Sequence, residues 1–119
     1  MWRSGKIESI TLRCSQTINA IRVNYTTKEE SFMIGNIENG MERDFVLESD
    51  EYITSVNGRA GDTQIDAIQF TTNTGRKSGW YGGYGGIVFH MENNAKPLRS
   101  IKGSGNGGQL DCLFFIFEK

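Results

Sequence analysis

The sequence contains an internal repeat of about 45 residues, which limits the chain to folds assembled from similar units. Residues 53–70 and 98–115 align in one register without a gap. The matched pairs are Ile53/Leu98, Val56/Ile101, Gly58/Gly103, Gln64/Gln109, Ile65/Leu110, Asp66/Asp111, Ala67/Cys112, Ile68/Leu113 and Phe70/Phe115. A weaker copy lies upstream, where residues 18–23 precede 65–70 in the same way. Three such units predict pseudo-threefold symmetry, with three small sheets packed around one axis.

Short segments of alternating apolar and polar residues predict that each unit consists of β-strands. Ile21–Tyr25 and Ile68–Phe70 are examples, and no stretch of ten residues has the apolar spacing of an amphipathic helix. The predicted strands cover approximately residues 6–13, 18–26, 30–35, 42–48, 51–58, 64–72, 76–81, 87–92, 97–103 and 109–118. The expected fold class is therefore all-β with antiparallel sheets, in a single domain over residues 1–119.

Charge and hydropathy exclude several classes of function. The chain has 13 basic and 14 acidic residues and a net charge of −1, whereas nucleic-acid-binding proteins usually have a basic excess. The longest apolar run, Leu113–Phe117, is far shorter than a membrane span, so we expect no membrane insertion by this domain alone. Residues 1–5 contain no apolar signal-peptide segment, which leaves localisation open between the cytoplasm and export without a conventional signal.

The residues that most often carry catalysis or bind metal are sparse and scattered. Cys14 and Cys112 can form at most one disulfide, and their number and spacing do not match a zinc site. His90 is the single histidine and has no nearby base, nucleophile or ligand cluster in the sequence, so we predict a structural role for it. We therefore expect no metal, no cofactor and no catalytic residue.

The 15 glycines, against a single proline, fall mainly between the predicted strands. Gly103–Gly108 matches the dinucleotide-binding pattern G-x-G-x-x-G, but that pattern needs a following helix whose N-terminal amides hold a pyrophosphate. Here it leads into an apolar segment that has the character of a strand. We therefore interpret the pattern as a glycine-rich turn.

The end of the same segment forms a second pattern, Gly-x-x-x-Asp, in which Gly107 and Gly108 precede Gln109 and Asp111. A carboxylate can accept hydrogen bonds from two sugar hydroxyls, and backbone N–H groups left bare by glycine can donate to sugar oxygens. Both groups fit into one tight turn only if the residues before the carboxylate are small. These residues alone leave two readings open, a sugar-binding loop or a loop that Asp111 caps.

The chain resembles the jacalin-related lectin family along nearly its whole length. The resemblance is carried by residues 18–25, 51–58, 68–73 and 81–89 and by the Gly107–Asp111 motif. The sequence from Asp111 to Phe117 is most similar to animal members, including the lectin modules of natterin-like proteins. The resemblance implies a β-prism I fold, in which three Greek-key antiparallel sheets surround a pseudo-threefold axis.

The resemblance also implies where a sugar binds. Asp111 would accept the sugar hydroxyls, the amides of Gly108 and Gln109 would complete the site, and the loop from Arg59 to Asp62 would lie beside it and tune specificity. Family members usually have a further Gly-Gly loop ahead of the segment equivalent to residues 1–5, and the printed sequence starts after that loop. Its symmetry mates are Asn39-Gly40 and Gly85-Gly86.

The repeat places two further candidate positions at the same point of the other units. In the second unit Asp66 keeps the carboxylate, and in the first unit Asn19 replaces it. For both, the alternative is a polar residue that only begins a strand. Trp80, Tyr81 and Tyr84 lie among glycines; such rings can stack on sugars, but we expect them to cover a small sheet.

The sequence thus predicts a non-catalytic carbohydrate-binding protein for mannose-type or glucose-type glycans. Its expected partners are glycans or glycoproteins, with no nucleic acid, and homo-oligomers would raise the strength of binding. One alternative is an interaction or targeting module of a larger effector or pore-forming protein whose sugar site is reduced or lost. A second is a polysaccharide hydrolase, which would need two suitably spaced carboxylates, and only Asp62 is a candidate neighbour for Asp111.

Overall fold

The computed structural model describes residues 6–27, 33–35, 38, 40–62, 64–106 and 109–119, and only the backbone at 105, 106, 109 and 111. Within these ranges the chain forms strands and loops and no helix. The strands are β1 (Ile7–Cys14), β2 (Ile18–Tyr25), β3 (Ile34–Gly35), β4 (Met41–Val46), β5 (Ile53–Ala60), β6 (Ile65–Thr72), β7 (Tyr81–Gly82), β8 (Ile87–Glu92), β9 (Leu98–Asn106) and β10 (Gln109–Phe117). The prediction of an all-β fold is confirmed.

The predicted repeat is visible in the sheet topology. The first sheet has the order β3-β2-β1-β4 and the second the order β7-β6-β5-β8, each the strand order of a Greek key, and all pairings are antiparallel. Among the described residues, β9 and β10 form the third sheet. Each unit is therefore a long hairpin, and in the first two units a short strand and an edge strand flank it.

Two β-bulges recur at equivalent places in all three hairpins. The first lies near the start of β1, β5 and β9, between the pairings of Ile7 and Ser9 in the first unit and of Ile53 and Ser55 in the second. A bulge inserts one residue and so shifts the alternation of side chains between the two faces. This shift explains why the inward apolar residues are three apart at this point, as in Ile7 and Ile10, and two apart afterwards.

The inward faces of the three hairpins share one core. It includes Ile10, Leu12, Ile21, Val56, Ile68, Phe70, Leu98 and Leu110, all with at most 1% of their surface exposed. An isolated hairpin is marginally stable in water, so each unit depends on the other two to cover its apolar face.

The predicted strands match the observed ones closely, with two informative differences. The segment predicted at 76–81 forms an isolated bridge from Lys77 to Thr71 and a strand only at Tyr81–Gly82, while the side chain of Arg76 contacts Glu51. The strand predicted at 51–58 begins at Ile53, because Glu51 is part of the same contact. Residues 30–32 of the segment predicted at 30–35 lie outside the described residues.

The contact between Glu51 and Arg76 joins the loop before β5 to the loop after β6. Glu51 is 1% exposed, and Arg76 donates two hydrogen bonds to its carboxylate, at 2.9 and 2.7 Å. The backbone N–H of Glu48 also donates to it at 2.9 Å, and Arg76 Nη2 donates to the carbonyl of Val46 at 2.7 Å. The guanidinium lies 4.6 Å from the ring centroid of Phe45. The contact therefore ties the second unit to the end of β4 in the first.

The hydrogen bonds from Arg76 hold the pKa of Glu51 well below its ordinary value of 4.5, and they outweigh the opposite effect of burial. Because the folded pKa is depressed, the stabilisation is complete above the ordinary pKa and is lost as pH falls below it. We expect Glu51→Gln to lower the free energy of unfolding at pH 7 by about 1–3 kcal/mol. The difference from the wild type should shrink as the pH drops below about 4.

Urea unfolding of both proteins from pH 7 to pH 3 checks this. Glu42→Gln is the matched control, because Glu42 is 56% exposed and reaches Arg13 only at 3.7 Å, so its removal should change little. Equal losses for Glu51→Gln and Glu42→Gln at pH 7 would contradict the assignment.

Candidate functional site

The second bulge of each hairpin lies where its second strand begins, and the extra residue is the candidate site residue. In the first unit Arg13 pairs with Ala20 and Cys14 with Ile18, which leaves Asn19 as the extra residue. The pairings on either side of Asp66 and of Asp111 show the same shift. Bulges frequently re-aim a side chain next to a functional site. The repeat therefore places the three predicted positions equivalently in the backbone.

Asp66 is the candidate whose carboxylate the structure describes in full. The side chain is buried, with 3% of its surface exposed. Its Oδ1 accepts a hydrogen bond from Nε2 of Gln64 at 2.7 Å. Its Oδ2 is also buried and accepts no hydrogen bond from the described residues. Leaving a buried acceptor unpaired costs free energy, so this oxygen is one that a ligand donor would stabilise.

A glycine-rich loop, residues 82–86, closes over this carboxylate. Gly86 has a φ of 82°, and a Cβ there would overlap Asp66 Oδ2 and approach the backbone of Ala60. Gly82 has a φ of 100°, and a Cβ there would overlap the carbonyl of Asp66. The N–H of Gly83 donates to that carbonyl at 2.9 Å. The glycines therefore allow the backbone to lie directly against the carboxylate.

A cavity of about 480 Å³ opens beside Asp66, between the first and second units. The loop from Ser15 to Thr17 forms one wall, and Gly82 to Gly85 form another. A Cβ at Gly83 would overlap the backbone of Gln16, so the two loops approach as closely as their backbones allow. The volume is in the range of small-molecule sites, and its lining of backbone, hydroxyl, amide and carboxylate groups suits a polar ligand.

The first unit keeps the glycines of this arrangement but loses the charge. Gly40 has a φ of 81°, and a Cβ there would lie 2.6 Å from Asn19 Oδ1, as a Cβ at Gly86 would meet Asp66. Asn19 Oδ1 accepts a hydrogen bond from the Ser15 hydroxyl at 3.1 Å. A carboxamide oxygen accepts more weakly than a carboxylate, so this copy is the weaker candidate.

Most of the predicted principal site, the Gly107–Asp111 motif, lies outside the part of the chain that the structure describes. Gly107 and Gly108 lie outside the described residues, as do the side chains of Gln109 and Asp111. The backbone from Gln109 onward is a strand, so the G-x-G-x-x-G pattern is not followed by a helix, as predicted. The pairing of Leu110 with Gly105 and of Cys112 with Ser104 puts Asp111 at the bulge.

Comparison with known proteins then decides the family. The family described as "Jacalin-like lectin domain" matches residues 1–116. The chain belongs to the jacalin-like lectin family. The predicted family is thereby confirmed. A search of curated protein sequences gave no match.

Solved structures similar to this lectin domain include a prostate-specific WGA16 glycoprotein lectin, with a TM-score of 0.85 and 22% identity over 98% of this chain and 84% of that one. Malaysian banana lectin has a TM-score of 0.81 and 24% identity, over 99% and 88% of the two chains. A mannose-binding lectin from Champedak has a TM-score of 0.80 and 24% identity, over 96% and 83%. These likenesses, together with the strand order, confirm the β-prism fold.

The predicted specificity residues of this lectin domain lie at the end of β5 and in the loop after it. Arg59 is half-buried on the outer face of the second sheet, and Asp62 is exposed. Ala60, between them, lines a groove of about 280 Å³ together with Cys112 of β10. The loop therefore begins beside the strand that carries Asp111, and Arg59 also borders the loop that closes over Asp66.

The three aromatic residues near this loop differ in exposure. Tyr81 is 6% exposed and packs in the core, as expected for a residue that covers a sheet. The same expectation is wrong for Trp80 and Tyr84, which are 50% and 95% exposed. Glycines on both sides of Tyr84 leave no neighbouring side chain to cover its ring.

Three other features considered in the sequence analysis can be compared with the structure. In the described ranges, no group of three or more His, Cys, Asp or Glu side chains is arranged to hold a metal ion. Across those same ranges, no helix long and apolar enough to span a membrane occurs. Cys14 and Cys112 are both free thiols.

The close approach of Gly86 to Asp66 leads to a prediction about stability. Gly86→Ala should cost more than the left-handed backbone strain of about 1–2 kcal/mol, because the new Cβ would displace the carboxylate or the Ala60 backbone. Gly79→Ala is the matched control, since Gly79 has a φ of 80° and open space around it. Urea unfolding of the two variants checks this, and equal losses would show that Gly86 is needed only for its φ.

Proposed function

We propose that this lectin domain binds carbohydrate without catalysis, and that its Gly-x-x-x-Asp loop at Asp111 and the equivalent loop at Asp66 hold the sugar. The observation that carries the proposal is the buried carboxylate of Asp66, which has an unpaired oxygen, a covering glycine loop and an adjoining cavity of about 480 Å³. Membership in a family of lectin domains supports carbohydrate binding as the general function.

The chemistry of the cavity suits hydroxyl groups. A sugar hydroxyl can donate to the Asp66 carboxylate while its own oxygen accepts from another group, and a carboxylate can accept from two neighbouring hydroxyls. Gln64 holds one oxygen of the carboxylate through its side-chain amide. A bound hydroxyl would take the place of this amide, while the second oxygen would gain a partner that it lacks. Binding therefore exchanges one hydrogen bond and adds another.

We propose Asp111 as the carboxylate of the principal site and Asp66 as that of a second site. The two residues occupy the same bulge position in their units, and this equivalence supports a similar role for their carboxylates. The amides of Gly108 and Gln109 would donate to the sugar at the principal site. Arg59 and Asp62 would border both sites, because their loop lies between β10 and the loop that covers Asp66.

Mannose-type or glucose-type glycans are the proposed ligands. Among the structurally similar proteins, those from Champedak and pineapple are named as mannose-binding, and artocarpin is described in a complex with mannotriose. A site made of one carboxylate and a few amides should hold a single sugar with a Kd on the order of millimolar. Binding at useful strength then requires several sites on one glycan or an oligomer of the chain.

Titration of mannotriose into wild type, Asp111→Ala and Asp66→Asn tests the proposal. Each variant loses charge-assisted hydrogen bonds worth about 1.5–3 kcal/mol, so the affinity of its site should fall about 10–100-fold. The double variant should bind no measurable mannotriose. Thermal melting confirms that each variant is folded.

The outcomes separate this proposal from the alternatives. An unchanged affinity in the double variant would overturn the assignment of both carboxylates. A folded wild type that binds no glycan on an array would favour an interaction or targeting module, and the bond from Gln64 to Asp66 is the feature that supports it. Release of products from oligosaccharides would indicate a hydrolase, although Asp66 is the sole carboxylate among the described residues that line its cavity.

A further inference from the structure

A second cavity, of about 330 Å³, adjoins the Asp66 cavity on the outer face of the second sheet. Arg59, Trp80 and Tyr84 form its walls, and Gly82 and Gly83 form the rest of its lining. Gly82, Gly83 and Tyr84 line both cavities, so the two cavities border the same glycine loop. A ligand that occupied both would pass over this loop.

The strand register places Arg59 in the same row as the start of the glycine loop. Arg59 pairs with Ala67, and Ala67 pairs with Gly82, so the three residues form one row across β5, β6 and β7. Residues that pair directly project from the same face of a sheet. Ala67, in the middle of the row, is fully buried, and the cavity is lined by the outer members Arg59 and Gly82. Trp80 and Tyr84, which are both exposed, also line it.

The guanidinium of Arg59 has no counterion among the described residues, whereas its equivalent in the first unit has one. Arg13 is its repeat mate: it pairs with Ala20 as Arg59 pairs with Ala67. On its other side Arg13 faces Glu42, with which it forms an ion pair at 3.7 Å, and it donates to the carbonyl of Gly40 at 2.8 Å. Arg59 faces an apolar residue, Val88, at the equivalent place. Its side chain forms no hydrogen bond or ion pair with the described residues.

We propose that this second cavity binds an anionic sugar unit, linked to the sugar held at Asp66. The guanidinium of Arg59 would donate two parallel hydrogen bonds to the carboxylate or sulfate of that unit, which is the bidentate geometry that arginine favours. The rings of Trp80 and Tyr84 would cover the apolar face of the sugar. The inference rests on the proposed binding at Asp66 and adds a preference for acidic glycans over neutral ones.

The test uses matched disaccharides that differ only in their terminal unit, which is a hexose, the corresponding hexuronic acid or the 6-sulfated hexose. Calorimetric titration of the wild type should give an affinity at least about tenfold higher for one acidic disaccharide than for the neutral one. The arm with the larger gain identifies carboxylate or sulfate as the anion. Raising the salt concentration should reduce the gain, because exposed charges are screened.

Two variants test the role of Arg59. Arg59→Gln removes the charge, and Val88→Glu supplies on β8 the counterion that Glu42 provides in the first unit. Both should abolish the acidic preference, and Val88→Glu, which lies outside the proposed sugar sites, should leave the affinity for the neutral disaccharide unchanged. Lys96→Gln is the control for the loss of one positive charge, since Lys96 is exposed beyond the far end of β8. It should retain the preference.

The outcomes also distinguish this inference from the proposed function. If the wild type binds the neutral disaccharide but shows no acidic preference, the inference is wrong and carbohydrate binding stands. If the preference persists in Arg59→Gln, the anion binds elsewhere and the inference is again wrong. Asp66→Asn should weaken the binding of all three disaccharides, and an unchanged affinity for the acidic ones would show that the two cavities do not act together, which would also overturn the inference. If the wild type binds none of the three, both proposals fail.

Discussion

The need for three small hairpins to share one core governs the rest of this structure. None of the three could cover its own apolar face, so the inward residues of each must meet those of the other two along a common axis. Each bulge inserts one residue and so changes which side chains of the strand point inward. The bulges therefore keep apolar side chains facing the shared core along the strands. Core packing therefore fixes the backbone of every unit to the same plan.

The second bulge of each hairpin provides a position whose side chain can vary between the units. Its extra residue is outside the regular alternation, and so the three units can differ there without disturbing the core. They carry an amide at Asn19 and carboxylates at Asp66 and Asp111. The row beside the bulge varies in the same way, since Arg13 faces Glu42 and Arg59 faces Val88. The repeated scaffold thus carries side chains of different charge at equivalent positions.

Much of this was accessible from the sequence. The alternation of residues located the strands to within a few positions, and the matching of Asp66 with Asp111 located equivalent points of two units. The resemblance to jacalin-related lectins added the arrangement of the sheets. These features depend on local pattern and on repetition, both of which a single sequence displays directly.

Contacts between distant segments could not be predicted in this way. The bond between Glu51 and Arg76 needs two loops to meet, and the isolation of Arg59 depends on Val88 lying opposite it on another strand. Glu42 and Val88 occupy equivalent positions of the repeat, and their difference in charge indicates the different surroundings of Arg13 and Arg59. This comparison requires knowledge of which strands pair. The exposure of Tyr84 likewise depends on how the glycine loop folds over Asp66.

The crossing of Gly83 over Gln16 has a consequence for the fold as a whole. The cavity beside Asp66 is also a joint between two units, since its walls come from both. A ligand bound at the proposed Asp66 site would contact both units, so separation of the units would require its release. By mass action, a ligand at one hundred times its Kd stabilises the folded chain by about 2.7 kcal/mol. Ligand binding in this cavity and the stability of the folded chain are thereby linked, so a change in one can be measured through the other.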